Sequence, residues 1–129
     1  MNILSELKYT KSDEWIKVEG STGIIGISDY AQNALSDIIF IELPGVGETL
    51  VKGEMYGTVE SVKAASDVNM PVGGEVIEVN EALTQKTELV NSDPYGQAWM
   101  IKIKIADENE LNDLMDAQAY QKYCEEREK

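Results

Sequence analysis

Lys63 has an amine that could act as a nucleophile, and the residues around it predict that it lies at a turn. It follows a strand-like run at residues 55–62 and precedes a second one at residues 65–70. Gly53 and Gly73 lie at equal distances on either side of it, so the pattern predicts a hairpin with Lys63 near its tip. A solvated lysine in a surface turn is the ordinary alternative.

The composition excludes most of the common catalytic mechanisms. The 129 residues include no histidine, which excludes His-based acid–base catalysis, Ser-His-Asp and Cys-His nucleophiles and His-ligated metals. Neither a P-loop nor a Gly-x-Gly-x-x-Gly motif is present. Catalysis by carboxylates alone remains open but has no motif in its favour. An ordinary hydrolase is therefore not indicated, and no metal site is predicted.

Charge indicates the kind of partner that the chain can bind. Eleven basic and 24 acidic residues give a net charge of -13. Such a field repels a phosphate backbone, so we expect no nucleic-acid partner. It suits docking onto basic patches of other proteins, although a role in solubility alone explains the charge equally well. No apolar run approaches the ~18 residues of a membrane helix, and we expect no membrane partner.

The length and the single cysteine limit the domain count and the compartment. With 43% hydrophobic residues, the sequence predicts one domain over residues 1–129. Cys124 has no second cysteine with which to form an internal disulfide. The first residues lack the pattern of a secretory signal. We expect a bacterial cytoplasm, or a mitochondrial matrix for a processed eukaryotic protein.

Short runs of alternating apolar and polar residues predict a mainly β fold. The predicted strands cover residues 14–19, 22–27, 38–43, 55–62, 65–70, 75–79 and 98–105. Ser28 is expected to cap a short helix that ends at Leu35. Residues 84–96 read as a loop with one helical turn.

The chain is predicted to close with two helices over residues 107–127, packed on a core formed by residues 8–106. Asp107 and Glu110 resemble a capping box for the first helix, and Asp116 begins the second. Apolar residues follow each start at helical spacing and are predicted to be buried. They are Leu111, Leu114 and Met115 in the first helix, and Tyr120, Tyr123 and Cys124 in the second.

The segment GTVESVKAASD at residues 57–67 resembles the lipoyl-attachment segment of the glycine cleavage H-protein family. Further blocks resemble that family in the same order, and the likeness extends from about Tyr9 to Tyr123. These blocks are residues 9–11, 14–15, 26–32, 42–44, 46–47, 70–71, 74–76, 78–83, 89–91, 93–96 and Trp99. Two positions depart from the family pattern, since Asp13 stands where a histidine is usual and Ser36 where a glycine is usual. Asp13 is expected to alter the surface near the lipoyl arm that this family carries on its lysine. Ser36 is expected to alter a turn.

This resemblance implies a fold and a role. The fold would be a mainly β, lipoyl/biotinyl-type barrel-sandwich hybrid with a short internal helix and C-terminal helices. Lys63 would carry lipoic acid as an amide, and the chain would be a carrier subunit with no catalytic residues of its own. A lipoate ligase or octanoyltransferase would recognise Glu60, Ser61, Val62 and Ala64.

The resemblance also implies a set of partners for the arm. Pyridoxal-phosphate-dependent glycine decarboxylase would load an aminomethyl group, and tetrahydrofolate-dependent aminomethyltransferase would remove it. Dihydrolipoamide dehydrogenase would accept the electrons. A cleft formed by Ser12, Glu14 and Asp67 is expected to shelter the cationic cargo, although ordinary surface carboxylates would give the same sequence.

Several rival functions share the hairpin. A biotin carrier usually places methionines on both sides of its lysine, where this chain has Val62 and Ala64. Lipoyl domains of 2-oxoacid dehydrogenases usually have Asp before the lysine and lack the additional terminal blocks. The remaining alternative keeps the fold and makes the protein a lipoyl or octanoyl donor in a protein-lipoylation relay.

Overall fold

The runs of alternating apolar and polar residues form two antiparallel sheets in the computed structural model, which describes residues 1–128. In chain order the elements are β1 (Lys8–Tyr9), β2 (Glu14–Glu19), β3 (Thr22–Ile27), α1 (Asp29–Leu35), β4 (Ile38–Glu42), β5 (Thr49–Leu50), β6 (Met55–Ser61), β7 (Ala65–Asn69), β8 (Gly74–Val79), α2 (Leu89–Ser92), β9 (Ile101–Ile105) and α3 (Ala117–Arg127). Two 3₁₀ helices span Glu81–Thr84 and Glu108–Asp113. The predicted mainly β fold with a short internal helix is confirmed.

The larger sheet has six strands in the order β1-β2-β3-β9-β8-β5, and the smaller has three in the order β4-β6-β7. Every pairing is antiparallel. The predicted hairpin is confirmed, since β6 and β7 pair directly from Met55↔Asn69 to Glu60↔Ala65. The turn that carries Lys63 is therefore at one end of the smaller sheet.

The main core lies between the two sheets. Ile25 and Ile103 from the larger sheet share one buried cluster with Ile41 and Val59 from the smaller sheet. This packing of two inner faces is the usual way in which antiparallel sheets remove apolar side chains from water. It gives the hairpin a fixed base, because Val59 belongs to the hairpin itself.

A second, aromatic cluster joins the two ends of the chain. Tyr9 and Tyr120 stack with their ring centroids 4.4 Å apart, and Trp15 and Cys124 are buried beside them. The expectation of burial is thus confirmed for Tyr120 and Cys124, whereas Tyr123 is half-buried against the same cluster. As a result, α3 packs on the outer side of β1 and β2.

Helix α1 leads from the larger sheet to the smaller one. Ser28 accepts a hydrogen bond from the backbone N–H of Ala31, as predicted for an N-cap. The helix ends at Leu35 and is followed by its C-cap Ser36, whose φ of 71° lies in a region that favours glycine. The departure of Ser36 from the family pattern therefore falls at a position with a conformational demand.

The predicted first C-terminal helix is wrong in two respects. Residues 108–113 form a 3₁₀ helix, and Met115 pairs with Tyr9 through two backbone hydrogen bonds of 2.9 Å. Glu110 makes no capping box, because its carboxylate accepts a hydrogen bond from the N–H of Gly73. Long-range partners thus override the local helical pattern.

The last predicted strand begins later than expected, at Ile101 instead of residue 98. Asp93 accepts hydrogen bonds from the N–H groups of Gly96, Gln97 and Ala98, which keeps that stretch in a turn. Among the helices of residues 1–128, none has the length and apolarity needed to cross a membrane.

Candidate functional site

The turn at residues 61–64 presents Lys63 at the tip of the β6–β7 hairpin. The Ser61 hydroxyl accepts hydrogen bonds from the N–H groups of Lys63 (3.1 Å) and Ala64 (2.9 Å). It also donates to the carbonyl oxygen of Ala64 at 3.0 Å. Since this one hydroxyl makes three contacts, Ser61 fixes the conformation of the turn.

Contacts with the segment between α1 and β4 hold the same turn from the side. The N–H of Val62 donates to the carbonyl oxygen of Asp37 at 3.1 Å. The ammonium of Lys63 has a long contact of 3.5 Å with the carbonyl oxygen of Ala34. Within residues 1–128 it forms no ion pair. The backbone of the turn is thus anchored, and the amine stays exposed.

The four predicted recognition residues divide into two groups. Glu60, Val62 and Ala64 are exposed, and 67% of Val62 is open to solvent. Ser61 is buried, with its hydroxyl engaged inside the turn. Three of the four are thus available for direct contact with an enzyme, while Ser61 acts through the shape of the turn. Their recognition by an enzyme stays a prediction.

Glu14 is a buried carboxylate, only 1% exposed, and it accepts three hydrogen bonds from the described residues. Its Oε1 accepts from the hydroxyls of Thr10 (2.6 Å) and Ser12 (2.5 Å). Its Oε2 accepts from the N–H of Asn69 at 3.0 Å. Burial raises the pKa of Glu14 above its ordinary value, and these hydrogen bonds oppose that rise only in part.

A cavity of about 280 Å³ lies beside Glu14. Its walls come from four parts of the chain that are distant in sequence. They are residues 9–12 with Glu14, residues 52–53, residues 69–71 and residues 113–115. Its lining combines charged residues, namely Lys11, Glu14, Lys52 and Asp113, with apolar ones such as Met70 and Leu114.

The structure brings two of the three predicted cleft residues together. Ser12 and Glu14 are hydrogen-bonded and both line the cavity. Asp67 is exposed on β7, opposite Thr58, and does not line the cavity. Strand β7 nevertheless connects the Lys63 turn to Asn69 over six residues, about 20 Å in extended geometry. The function of this cleft stays a prediction.

Sequence reasoning missed Thr10 and Asn69 as partners of Glu14. Thr10 was visible as a hydroxyl four residues before the carboxylate, the only local signal available. Asn69 contributes a backbone N–H from a position 55 residues away, which no sequence pattern marks.

Sequence reasoning also missed the role of Asp13, which was expected only to alter the surface. It has a φ of 77°, and its carboxylate forms a bidentate pair with Arg127. The turn that supplies Ser12 is thus attached to the C-terminal helix.

Comparison with known proteins gives one consistent answer. The family model described as "Glycine cleavage H-protein" matches residues 7–127. The glycine cleavage system H protein of Halothermothrix orenii is 52% identical over 128 residues, covering 99% of this chain and 100% of that protein. The H protein of Carboxydothermus hydrogenoformans is 55% identical over 121 residues, covering 94% of this chain and 93% of that protein.

A mitochondrial relative and a solved structure agree with these matches. The mitochondrial H protein of Pisum sativum is 54% identical over 127 residues, covering 98% of this chain and 77% of that protein. The crystal structure of an H protein from Mycobacterium marinum superposes with a TM-score of 0.83 at 32% identity. That match covers 98% of this chain and 100% of the other, and it confirms the predicted lipoyl-domain-like sandwich.

Proposed function

Since the chain belongs to the glycine cleavage H-protein family, we propose that it carries one lipoyl group on Lys63 and shuttles an aminomethyl group. In this role it is a carrier subunit and not itself a catalyst. The observation that carries the proposal is the exposed amine of Lys63 on a turn anchored by Ser61. An amine that forms no ion pair with residues 1–128, on a fixed support, fits the attachment of a long acyl group.

The lipoyl group supplies, when attached, the disulfide that takes up the cargo and the electrons. The protein supplies presentation, since a rigid turn limits the volume that the tethered group explores and raises its effective concentration at each partner. The partners that we propose are glycine decarboxylase, aminomethyltransferase and dihydrolipoamide dehydrogenase. A lipoate ligase or an octanoyltransferase would attach the group.

The buried carboxylate of Glu14 supports a role in holding the cargo. The cargo has a cationic amine, and Glu14 faces a cavity with hydrogen-bond donors around it but no ion pair within the described residues. A buried anion that forms no ion pair within the described residues gains from an ammonium group brought beside it, and the cargo would share the cavity with Lys11 and Lys52. We therefore assign the cleft to Ser12 and Glu14, with Asp67 on the approach from the hairpin.

Intact mass spectrometry tests the proposal directly. The protein is purified from its native host grown with lipoate, beside a Lys63→Arg variant and a Lys104→Arg variant that changes another exposed lysine. We expect one lipoyl increment on the parent and on Lys104→Arg, and none on Lys63→Arg. No increment on the parent, or an increment of the mass of biotin, would overturn the assignment.

A further inference from the structure

The outer side of the smaller sheet is open to solvent directly beside the Lys63 turn. The register of β4, β6 and β7 aligns two rows of side chains on this side, which we name the hairpin face. Its six residues are Phe40, Glu60 and Ala65 in one row, and Glu42, Thr58 and Asp67 in the other. All are exposed except Thr58, which is half-buried.

A β-bulge adds an apolar feature to the hairpin face. The register between β4 and β6 shifts between Ile38 and Phe40, which leaves Ile39 as the additional residue. Ile39 is 57% exposed and Phe40 is 49% exposed. Two consecutive large apolar side chains in solvent cost free energy unless another surface covers them, and large exposed apolar groups are typical of interaction sites.

The charges on the hairpin face all have one sign. Glu60 lies beside Phe40 in one row, Glu42 and Asp67 lie in the other row, and the outward positions of the three strands include no basic residue. A partner that covers this face must pair with these carboxylates and also cover Phe40 and Ile39. We therefore expect its surface to present lysine or arginine around an apolar depression.

The reach of Lys63 identifies which partner must touch this face. The unmodified side chain has only four methylene groups, so the enzyme that acylates it must bring its active site against the turn. Partners that act on the completed arm are free of this constraint, because the tether extends the reactive end away from the surface. The turn joins β6 to β7, and Val62 is hydrogen-bonded to the residue before β4. Any surface seated on the turn therefore adjoins Phe40.

We propose that the hairpin face, together with Ile39, is the docking surface for the enzyme that attaches the lipoyl group to Lys63. The inference rests on the proposed function, and it extends recognition beyond the hairpin onto β4. In the reaction, the neutral amine of Lys63 attacks the carbonyl carbon of lipoyl adenylate. The amide bond forms, the bond from that carbon to the phosphate oxygen breaks, AMP leaves, and the amine proton passes to a base of the enzyme.

The apolar part of the proposal has a matched control in the other sheet. Ile77 is 43% exposed at a second bulge, in β8, so Ile77→Ser removes the same chemical group from an equivalent backbone setting. The test compares the binding of Ile39→Ser/Phe40→Ser and of Ile77→Ser to the host's lipoate ligase with lipoate and ATP present. A Lys63→Arg background prevents turnover, and calorimetry gives Kd.

We expect Ile39→Ser/Phe40→Ser to raise Kd about tenfold or more, and Ile77→Ser to leave it within about twofold. In the Lys63 background, KM for acylation should rise in parallel while kcat stays unchanged. If the double variant binds and is acylated as well as the Ile77 variant, the docking surface is wrong. The proposed function would still stand in that case, because Lys63 would still be modified.

The role of the carboxylates is tested by reversing one charge with Glu42→Lys, on the hairpin face. The control is Glu75→Lys, at an exposed position on β8. Both substitutions by lysine change the net charge equally, so a difference between them reports position and not total charge. We expect Glu42→Lys to raise Kd about fivefold more than Glu75→Lys, with the difference shrinking as salt is added. Equal effects would contradict docking on this face.

Discussion

The carboxylate of Asp13 accepts two hydrogen bonds from the guanidinium of Arg127, at 2.8 and 2.9 Å. The hydroxyl of Tyr120 donates to the same carboxylate at 2.8 Å, and that of Tyr123 donates to the carbonyl oxygen of Lys11 at 2.9 Å. Helix α3 therefore holds the turn at residues 10–13 from outside, and this turn supplies the hydroxyls that face Glu14. The hydrogen bonds to Asp13 raise the pKa of Arg127, which stays charged.

Removing this pair should weaken the fold measurably. We expect Arg127→Gln and Asp13→Asn each to lower the free energy of unfolding by about 1–2 kcal/mol, because each leaves a charge-assisted hydrogen-bonding group without its partner. Urea unfolding of both single variants and of the double variant measures this effect. The double variant should lose less than the sum of the two. Lys122→Gln, on the exposed side of α3, is the control, and an equal loss there would contradict a specific role for Arg127.

Ser36 should be a site of stabilisation. Its φ of 71° is strained for a residue with a side chain, and its backbone carbonyl already accepts a hydrogen bond from Asn91. We expect Ser36→Gly to raise the free energy of unfolding by about 1 kcal/mol, net of the greater freedom that glycine gives the unfolded chain. Ser36→Ala retains the strain and should give no gain. Thermal or urea unfolding measures both, and equal behaviour of the two variants would show that strain is absent.

Ser61 should matter for the order of the attachment turn. We expect Ser61→Ala to cost about 1–2 kcal/mol, because it leaves the N–H groups of Lys63 and Ala64 without their acceptor. Hydrogen exchange at these two amides should accelerate, as NMR will show. Ser66→Ala is the control, since that hydroxyl makes only a 3.3 Å contact with the carbonyl oxygen of Asp67. Unchanged exchange in Ser61→Ala would mean that other contacts fix the turn.

The buried carboxylate of Glu14 should make stability depend on pH with a definite sign. Its pKa is raised in the folded state by burial, so between its unfolded and folded pKa values the folded chain binds more protons. The contribution of Glu14 to stability therefore falls as the pH rises through that window, and it is constant above it.

Glu14→Gln removes the titrating carboxyl and places an amide donor near the N–H of Asn69. We expect the free energy of unfolding of the variant to lack the fall that Glu14 causes in the wild type. The difference between variant and wild type should therefore shift in favour of the variant as the pH rises above the ordinary glutamate pKa, and become constant above the raised pKa. Urea unfolding from pH 4 to 8 measures the slope. Glu75→Gln, at an exposed position, should show no such slope, and a slope of opposite sign for Glu14→Gln would overturn the assignment.

The two acidic cleft residues should differ in how they protect the cargo. Glu14 lines the cavity whereas Asp67 does not, so we expect Glu14→Gln to shorten the lifetime of the aminomethyl-loaded protein by about tenfold. The exposed Asp67→Asn should shorten it much less. Release of ammonia or formaldehyde from the isolated loaded protein, followed over time, gives both rates. If neither variant changes the lifetime, the cleft has no sheltering role.

Much of the smaller sheet was predictable from the sequence because its signals are local. Alternation of apolar and polar residues repeats every two positions, and the glycines on either side of Lys63 mark where the chain turns. The Ser28 cap and the start of α3 after Asp116 likewise depend on contacts three residues apart. Such contacts produce recognisable patterns in the sequence. The hairpin and the position of Lys63 at its tip were therefore predictable from the sequence.

Contacts between distant parts of the chain could not be predicted from local patterns. Glu110 looked like half of a capping box, yet it bonds to Gly73, and Met115 fitted a helix, yet it pairs with Tyr9. These residues satisfy local patterns equally well in both arrangements, and burial of their long-range partners determines which one forms.

The candidate site shows the same division. The sequence by itself determined which residues have reactive groups, since Lys63 and Glu14 are identified by type and by neighbouring motif. Two contacts are visible only in the folded chain. The N–H of Asn69 donates a hydrogen bond to Glu14, 55 positions away, and the guanidinium of Arg127 donates to Asp13, 114 positions away. Contacts at such separations follow from how two sheets and a terminal helix pack, and packing has no period in sequence from which it can be read.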